Sequence, residues 1–422
     1  MMPTRFPCLL ALVGVVALSA PILVVPGPDG EAVAQRRERR KPPETKKVKA
    51  VREWAFKRLT EAQDALASDD YATTLAKLEE MKRSTRLNEH EIALMHQTYA
   101  YYYSEKEDFK GALREFEAAV ATGGLPTAVE LSVRYNIGQL YIMDEQYHKG
   151  IDTLNEWLTL VETPTPDAYI LLANAWVQLE DYERAVPYAR QAVDMSVNKP
   201  REGWMKMLLS LYFQVERYPK AEGVLERLVR LWPKKQYWMQ LSLVYATNEK
   251  EHEALSALEV AYGEGYLTES RELVRLAQMY LFHEIPYRAA KVLEKGFRDE
   301  QIEETEDNYE LLANSWIRAQ ELEQALPPLG SAANLSEDGN LYMRIGQIHV
   351  EAEKWKNAER ALSTAIQKGD LDRPGLANLL LGIAQFNSGK LTAAKRSFTR
   401  ASKYDKYKKQ GRQWLRHMAQ QA

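Results

Sequence analysis

Tyr169-Ile170-Leu171-Leu172-Ala173-Asn174-Ala175-Trp176 is followed by Ala185, twelve residues beyond Ala173, and then by Ala189 and Ala192. The order returns at Tyr309-Glu310-Leu311-Leu312-Ala313-Asn314-Ser315-Trp316, with Ala325 again twelve residues past Ala313. Outward from these copies an anchor recurs every 33 to 38 residues: Thr74, Ala112, Gly150, Ala185, Ala221, Ala254, Ala289, Ala325, Ala358 and Ala394. Twelve positions before each anchor stands Ala62, Ala100, Gly138, Ala173, Leu209, Ser242, Ala277, Ala313, Gly346 or Gly382. Nine before it an aromatic is usual: Tyr103, Tyr141, Trp176, Tyr212, Tyr245, Tyr280 and Trp316. Four after it comes a bulky apolar residue, with Ala189 the exception, and seven after it usually another small one. Small residues at this spacing let two helices cross closely, with the aromatic wedging them at a fixed angle. A unit of this length cannot bury its apolar face alone, so neighbouring units must stack.

Period and motif resemble the tetratricopeptide repeat, whose norm is about 34 residues. The resemblance runs over residues 51–405. It implies an all-α, right-handed superhelical solenoid of about ten helix–turn–helix units. A C-terminal capping helix is expected over 406–422, where Tyr407, Trp414, Leu415 and Met418 form one apolar stripe among Lys, Arg and Gln. Pro187 and Pro327 fall at matching places in two second helices and should bend them alike. Duplication of a block explains these two similar units without a shared ligand.

The first 34 residues are a different material. Arg5 precedes an apolar run from Cys8 to Val25, and Ala32-Val33-Ala34 precedes Gln35. This order predicts a signal peptide over 1–34, cut after Ala34, and hence a periplasmic protein. An uncleaved inner-membrane anchor is the alternative, because Arg36, Arg37, Arg39, Arg40 and Lys41 follow closely and positive charge favours the cytoplasmic side. Cys8 is the only cysteine, so a mature chain has no disulfide and no thiol chemistry. Residues 35–50, with Pro42-Pro43 and dense charge, suit a basic flexible arm.

Charge is segregated. Residues 35–58 carry a formal +8 and 390–416 a formal +9, which leaves about −19 on 59–389. An acidic array of this kind favours cationic partners along its length and repels nucleic acid. Solvation of outward faces accounts for the same charges without a partner.

No catalytic constellation is present, and the chain is not expected to be an enzyme. None of the seven histidines pairs with another at the i, i+4 spacing of a helical zinc site. There is no nucleophile elbow, phosphate loop or dinucleotide fingerprint, so no catalytic, cofactor or metal residue is expected. The acidic run Asp299, Glu300, Glu303, Glu304, Glu306 and Asp307 suits the start of a helix better than a calcium site.

In tetratricopeptide proteins the first helix of each unit lines the concave face, and the resemblance therefore points to the residue just after each small slot. Here these include Gln63, Tyr101, Gln139, Asn174, Gln278, Asn314 and Gln347, with Tyr135 a neighbour. Six of the ten such positions are amides. Amides donate and accept, so a spaced row can follow an extended peptide backbone; bonding within their own helices is the alternative. Lys206, Arg271, Arg275, Asp307, Arg318 and Arg344 are further inward candidates.

A narrower resemblance rests on Arg36-Arg37-Glu38-Arg39-Arg40-Lys41-Pro42-Pro43, Leu231-Trp232-Pro233-Lys234-Lys235-Gln236-Tyr237-Trp238, Pro286-Tyr287-Arg288-Ala289-Ala290-Lys291-Val292-Leu293-Glu294-Lys295-Gly296, Asn308-Tyr309-Glu310-Leu311-Leu312-Ala313 and Gln413-Trp414-Leu415. Together they resemble an exported bacterial tetratricopeptide family assigned, by the company it keeps, to the TonB energy-coupling system. The resemblance implies a protein-binding scaffold with TonB-system components, or an extended peptide, as partner. A lysine- and proline-rich TonB linker is the expected ligand, and peripheral association with the envelope is a further expectation. Alternatives are an adaptor for polysaccharide secretion or outer-membrane assembly and, from another class, a subunit of a peptidoglycan-active enzyme.

If Ala34 is the cleavage site, mass spectrometry of the native protein should find Gln35 at its N-terminus, and a bulky residue at 34 should leave the chain membrane-bound. An intact chain beginning at Met1 would contradict this.

Overall fold

The computed structural model describes residues 45–421, so the expected signal peptide (1–34) and residues 35–44 of the arm lie outside the described residues. Every regular element among the described residues is an α-helix. They run α1 Glu53–Ala67, α2 Tyr71–Lys82, α3 Glu89–Glu105, α4 Phe109–Ala121, α5 Thr127–Met143, α6 Tyr147–Leu160 and α7 Pro166–Gln178. Next come α8 Tyr182–Met195, α9 Glu202–Gln214, α10 Tyr218–Leu231, α11 Lys235–Thr247, α12 Glu251–Gly263, α13 Ser270–Phe282 and α14 Pro286–Arg298. The last are α15 Glu306–Arg318, α16 Leu322–Leu335, α17 Asn340–Glu351, α18 Trp355–Lys368, α19 Pro374–Asn387, α20 Leu391–Ala401 and α21 Asp405–Gln421. Odd and even helices alternate as the first and second members of the units, and α21 follows the last pair.

Two compact units divide the chain. One comprises the described residues up to Lys106 with Arg114–Arg134 and Glu156–Pro164; the other comprises Glu107–Leu113, Tyr135–Asn155 and the described residues from Thr165 onward. In the second unit each helix packs on the next through α7 to α21, as tetratricopeptide pairs do. Pro187 and Pro327 lie inside α8 and α16, which continue through them.

The packing explains the sequence period. All ten anchors are buried, and so are all ten residues twelve positions earlier. Between them sits the residue four after the anchor, such as Leu154, Leu362 or Phe398, buried in every unit. A methyl group added at Gly138, Gly346 or Gly382 would come within 2.6, 2.5 and 2.6 Å of these three side chains respectively. The small slot and the bulky slot are thus two halves of one contact, where the first helix crosses the second. On the last pair, α21 lays Tyr407, Trp414, Leu415 and Met418 against the Leu379–Phe398 cluster, and Trp414 stacks on Phe398 at 5.2 Å.

The turn joining the two helices of a unit has its own rule. Five residues before each anchor the backbone is left-handed: Asp69, Glu107, Glu145, Glu180, Glu216, Glu249, Glu284, Gln320 and Glu353 have φ between 54° and 62°, and Gly389 has 76°. Only the last unit uses the residue that this conformation favours. An L-residue there costs about 1–2 kcal/mol, part of which glycine would return through its looser unfolded chain. Glu180→Gly should therefore raise stability by roughly 0.5–1 kcal/mol, read as a higher urea midpoint; an unchanged or lower midpoint would show that the glutamate makes up for its own strain.

Candidate functional site

First helix packs on first helix at α1 with α3 and at α17 with α19, whereas no two second helices pack to a like extent among the described residues. At these two places the stack closes on the first-helix side.

The sequence-selected residues fall on that side with differing surroundings. Gln63 is exposed and its Nε2 reaches Thr98 Oγ1 on α3 at 3.5 Å. Tyr101 turns partly inward: its ring meets Phe116 edge-on at 5.3 Å and its hydroxyl accepts from Gln97 Nε2 at 3.2 Å. Burial, with the Asp167 charge adding to it, raises the Tyr135 phenol above its ordinary range. Gln139, Asn174 and Gln347 are half-buried and Gln278 is exposed, and the structure gives their side chains no hydrogen-bond partner. Asn314 differs, since its Nδ2 donates to Glu310 Oε1 at 3.4 Å within its own helix, and Arg344 from α17 reaches the same oxygen at 3.4 Å. That amide is part of a bridge between first helices.

Two features were missed when the residues were read by slot alone. On α13, Arg271, Arg275, Gln278 and Phe282 lie at i, i+4, i+7 and i+11, which is one helical stripe. Phe282 is 71% exposed, and Leu243 on the neighbouring first helix α11 is 52% exposed. Arg271 and Arg275, like Arg318 one turn beyond Asn314, are exposed and have no carboxylate partner. The face thus combines free guanidinium groups, free amides and two bare apolar side chains. The signal in the sequence was this i, i+4, i+7 spacing rather than the single amide slot.

The second feature is where the acidic charge goes. In the first, second and fourth units Asp70, Asp108 and Asp181, which precede the second helices, accept from the backbone N–H groups of Thr73, Gly111 and Arg184. At the same place later units put Arg217, Lys250, Lys354 and Lys390. A cation there is unfavourable to the helix end. Each reaches back one repeat instead, to Glu183, Glu222, Glu323 and Glu359. Along the first helices Arg201 pairs with Asp167, Lys234 with Glu202, and Lys235 with Glu269 and Glu272. Exposed pairs of this sort contribute about 0.2–1 kcal/mol each. Several carboxylates of the array are therefore held between repeats, while the net charge, which already counts their cations, stays the same.

One such link is buried. Residues 45–52 precede α1 without helix. The Lys46 backbone N–H donates to Thr127 Oγ1 at 3.0 Å, and its ammonium pairs with Glu130 at 2.6 Å. Asn88 Nδ2 donates to the Ala50 carbonyl at 3.1 Å. The Arg52 backbone N–H donates to Glu91 Oε1 at 2.8 Å and its Nε donates there at 2.9 Å. The sequence suggested a flexible arm as far as residue 50; its described end is held across α3 and α5, because the fully buried Glu91 carboxylate has Arg52 as its counter-charge. The same carboxylate closes the capping box of α3.

No three His, Cys, Asp or Glu side chains converge on a metal-sized site among the described residues, and no described helix is long and apolar enough to cross a membrane. The largest depression described, about 520 Å³, is open and lies on the α14–α16 surface, with Phe297 stacked on Tyr309 and with Trp316, Pro327 and Pro328 in its lining.

With this geometry in hand, comparison with known proteins is informative about class. Tetratricopeptide-repeat models match residues 166–196, 206–265 and 343–408. Those segments are tetratricopeptide repeats, and the same slots and packing recur in the units between them. No functionally curated protein matches. Among solved structures, YrrB, described as a TPR protein with an unusual peptide-binding site, is 19% identical; the match covers 40% of this chain and 83% of that one, with a TM-score of 0.33. A tetratricopeptide repeat protein from Parabacteroides merdae is 16% identical over 63% of this chain and 99% of its own, with a TM-score of 0.36. PilF of Pseudomonas aeruginosa is 15% identical over 52% and 95%, with a TM-score of 0.33.

The Glu91 link makes a pH-dependent prediction. Hydrogen bonds from Arg52 hold the Glu91 carboxyl down to about 2, against an unfolded value near 4.5. A depressed folded value contributes stability above the unfolded value that is lost as pH falls toward the folded one. The wild type should exceed Glu91→Gln by up to about 3 kcal/mol at neutral pH. That gap should close between about pH 4.5 and 2, as measured by urea unfolding at a series of pH values. A gap independent of pH would mean that shape, not charge, is what Glu91 contributes.

Proposed function

We propose that this chain is a non-catalytic periplasmic scaffold that holds an extended segment of another protein on its first-helix face. The observation that carries the proposal is the α11–α17 stripe, where Arg271, Arg275 and Arg318 lack carboxylate partners beside free Gln278 and Gln347 and exposed Leu243 and Phe282. Amides can follow the backbone of an extended ligand whatever its sequence. Unpaired guanidinium groups select carboxylates, and exposed Phe and Leu offer an apolar anchor. The preferred ligand is therefore an extended segment bearing acidic and apolar side chains.

A second reading keeps the cationic ligand suggested by the overall charge. It is favoured by residues 45–52, since the first unit accepts an extended basic segment of its own chain on Glu91 and Glu130. The sequence resemblance to the TonB-associated family supplies the system in which either partner would be sought, and the leader supplies the compartment. An adaptor role in polysaccharide secretion or outer-membrane assembly would use the same face.

Fluorescence anisotropy with two labelled peptides separates the readings. An acidic, leucine-containing peptide should bind, and Arg275→Glu with Arg318→Glu should weaken it at least about tenfold with little change in thermal midpoint, because both side chains are exposed. A lysine- and proline-rich peptide should bind more weakly. The opposite order of affinities would favour the TonB-linker reading, and binding of neither at low salt would remove the face as a peptide site.

A further inference from the structure

Cations in the earlier units are interspersed with carboxylates, and many pair with them, whereas the last unit has almost no carboxylate to offer. The last inter-repeat pair joins Lys390 to Glu359 at 2.7 Å. Beyond it, Asp405 is the only carboxylate through residue 416. It meets Lys408 at 3.8 Å and leaves Lys395, Arg396, Arg400, Lys403 and Lys406 exposed and without ion pairs. Lys395, Arg396 and Arg400 on α20 and Lys403 in the turn after it line, with Thr392 and Thr399, a shallow depression of about 390 Å³. Leu391 and Tyr404, at the two ends of this stretch, are 53% and 41% exposed.

We infer that the exposed face of α20, with the turn into α21, is a docking surface for an anionic phospholipid membrane, distinct from the first-helix face that would hold a peptide. Three features select this occupant. Five unpaired cations on one short stretch match a surface of repeating phosphate charge, where each adds attraction that salt screens. The Thr392 hydroxyl among four cationic side chains offers a hydrogen bond and charge to a single phosphate oxygen set, the Thr399 hydroxyl already donating to the Lys395 carbonyl. Exposed Leu391 and Tyr404 suit the boundary between headgroups and acyl chains, to which an amphipathic aromatic is drawn. A carboxylate-bearing protein surface would match the charge but leave these two side chains without a role. Residues 59–389, formally about −19, would be repelled from the same membrane.

Vesicle co-sedimentation of the full chain tests this, using phosphatidylcholine alone and phosphatidylcholine with about 30 mol% phosphatidylglycerol at about 100 mM salt. Binding should require the anionic lipid. It should weaken at least about tenfold in the variant Lys395→Glu, Arg396→Glu, Arg400→Glu, Lys403→Glu, and by a smaller factor in the corresponding four glutamine substitutions, which spare the fold the strain of new charge. Replacing Arg36, Arg37, Arg39 and Arg40 with alanine provides the control for the basic segment at the other end. If only that change lowers binding, or if both C-terminal variants bind like the wild type, the inference fails. It also fails if sedimentation without lipid shows a self-associated species that the C-terminal variants abolish, since the face would then belong to a second copy.

Discussion

The contact on which everything else rests is the crossing of two helices at a residue without bulk. Gly346 can sit where it does because Leu362, four residues after the anchor Ala358, fills the space a side chain would have taken. Ala62 with Leu78, Ala100 with Phe116 and Gly382 with Phe398 place the same two partners in their own units. Each crossing sets the position of the next first helix, so an error in one unit would be passed to its neighbour and no further. That local dependence frees the outward positions to vary and lets one scaffold carry several chemically different surfaces.

Turn geometry and charge are linked through the same period. The left-handed residue five before each anchor is acidic in eight of the nine non-glycine cases, with Gln320 the exception. The next residue, which caps the second helix, is aspartate in the early units and lysine or arginine in several later ones. Early units thus satisfy the helix end locally, as capping does. Later units give up that bond and reach back one repeat to a carboxylate. The exchange moves a small stabilisation from within a unit to between units.

This redistribution changes how the protein's electrostatics are understood. A formal −19 over the array suggests a ligand of opposite sign. Ion pairing between repeats leaves that net charge unchanged but ties individual carboxylates to neighbouring repeats, and on the first helices α13 and α15 Arg271, Arg275 and Arg318 stand without carboxylate partners, with an equally unpaired Asp307 on α15. At the C-terminal end Glu359 is the last carboxylate to take a cation from the next repeat, Asp405 alone lies beyond Lys390, and free cations accumulate on α20 and the turn after it. Tyr280 shows the same economy on a smaller scale: its hydroxyl donates to Glu259 at 2.8 Å, and burial together with that charge pushes it up to about 12.

The sequence by itself determined the helix pairs, their number and the residues at their crossings, because close packing admits only small side chains at twelve-residue spacing and period is a local property. It also brought out the amide positions Asn174, Gln278 and Gln347, which remain without partners, and the stripe that ends in α21. Tertiary structure alone decided the rest. Asn314 is tied to Glu310 and, through it, to Arg344 on the next first helix. Residues 45–52 are held on Glu91 and Glu130, some 40 and 80 positions away. Whether a charge is free depends on what stands one repeat away in space, and a side chain's own slot carries no record of that neighbour.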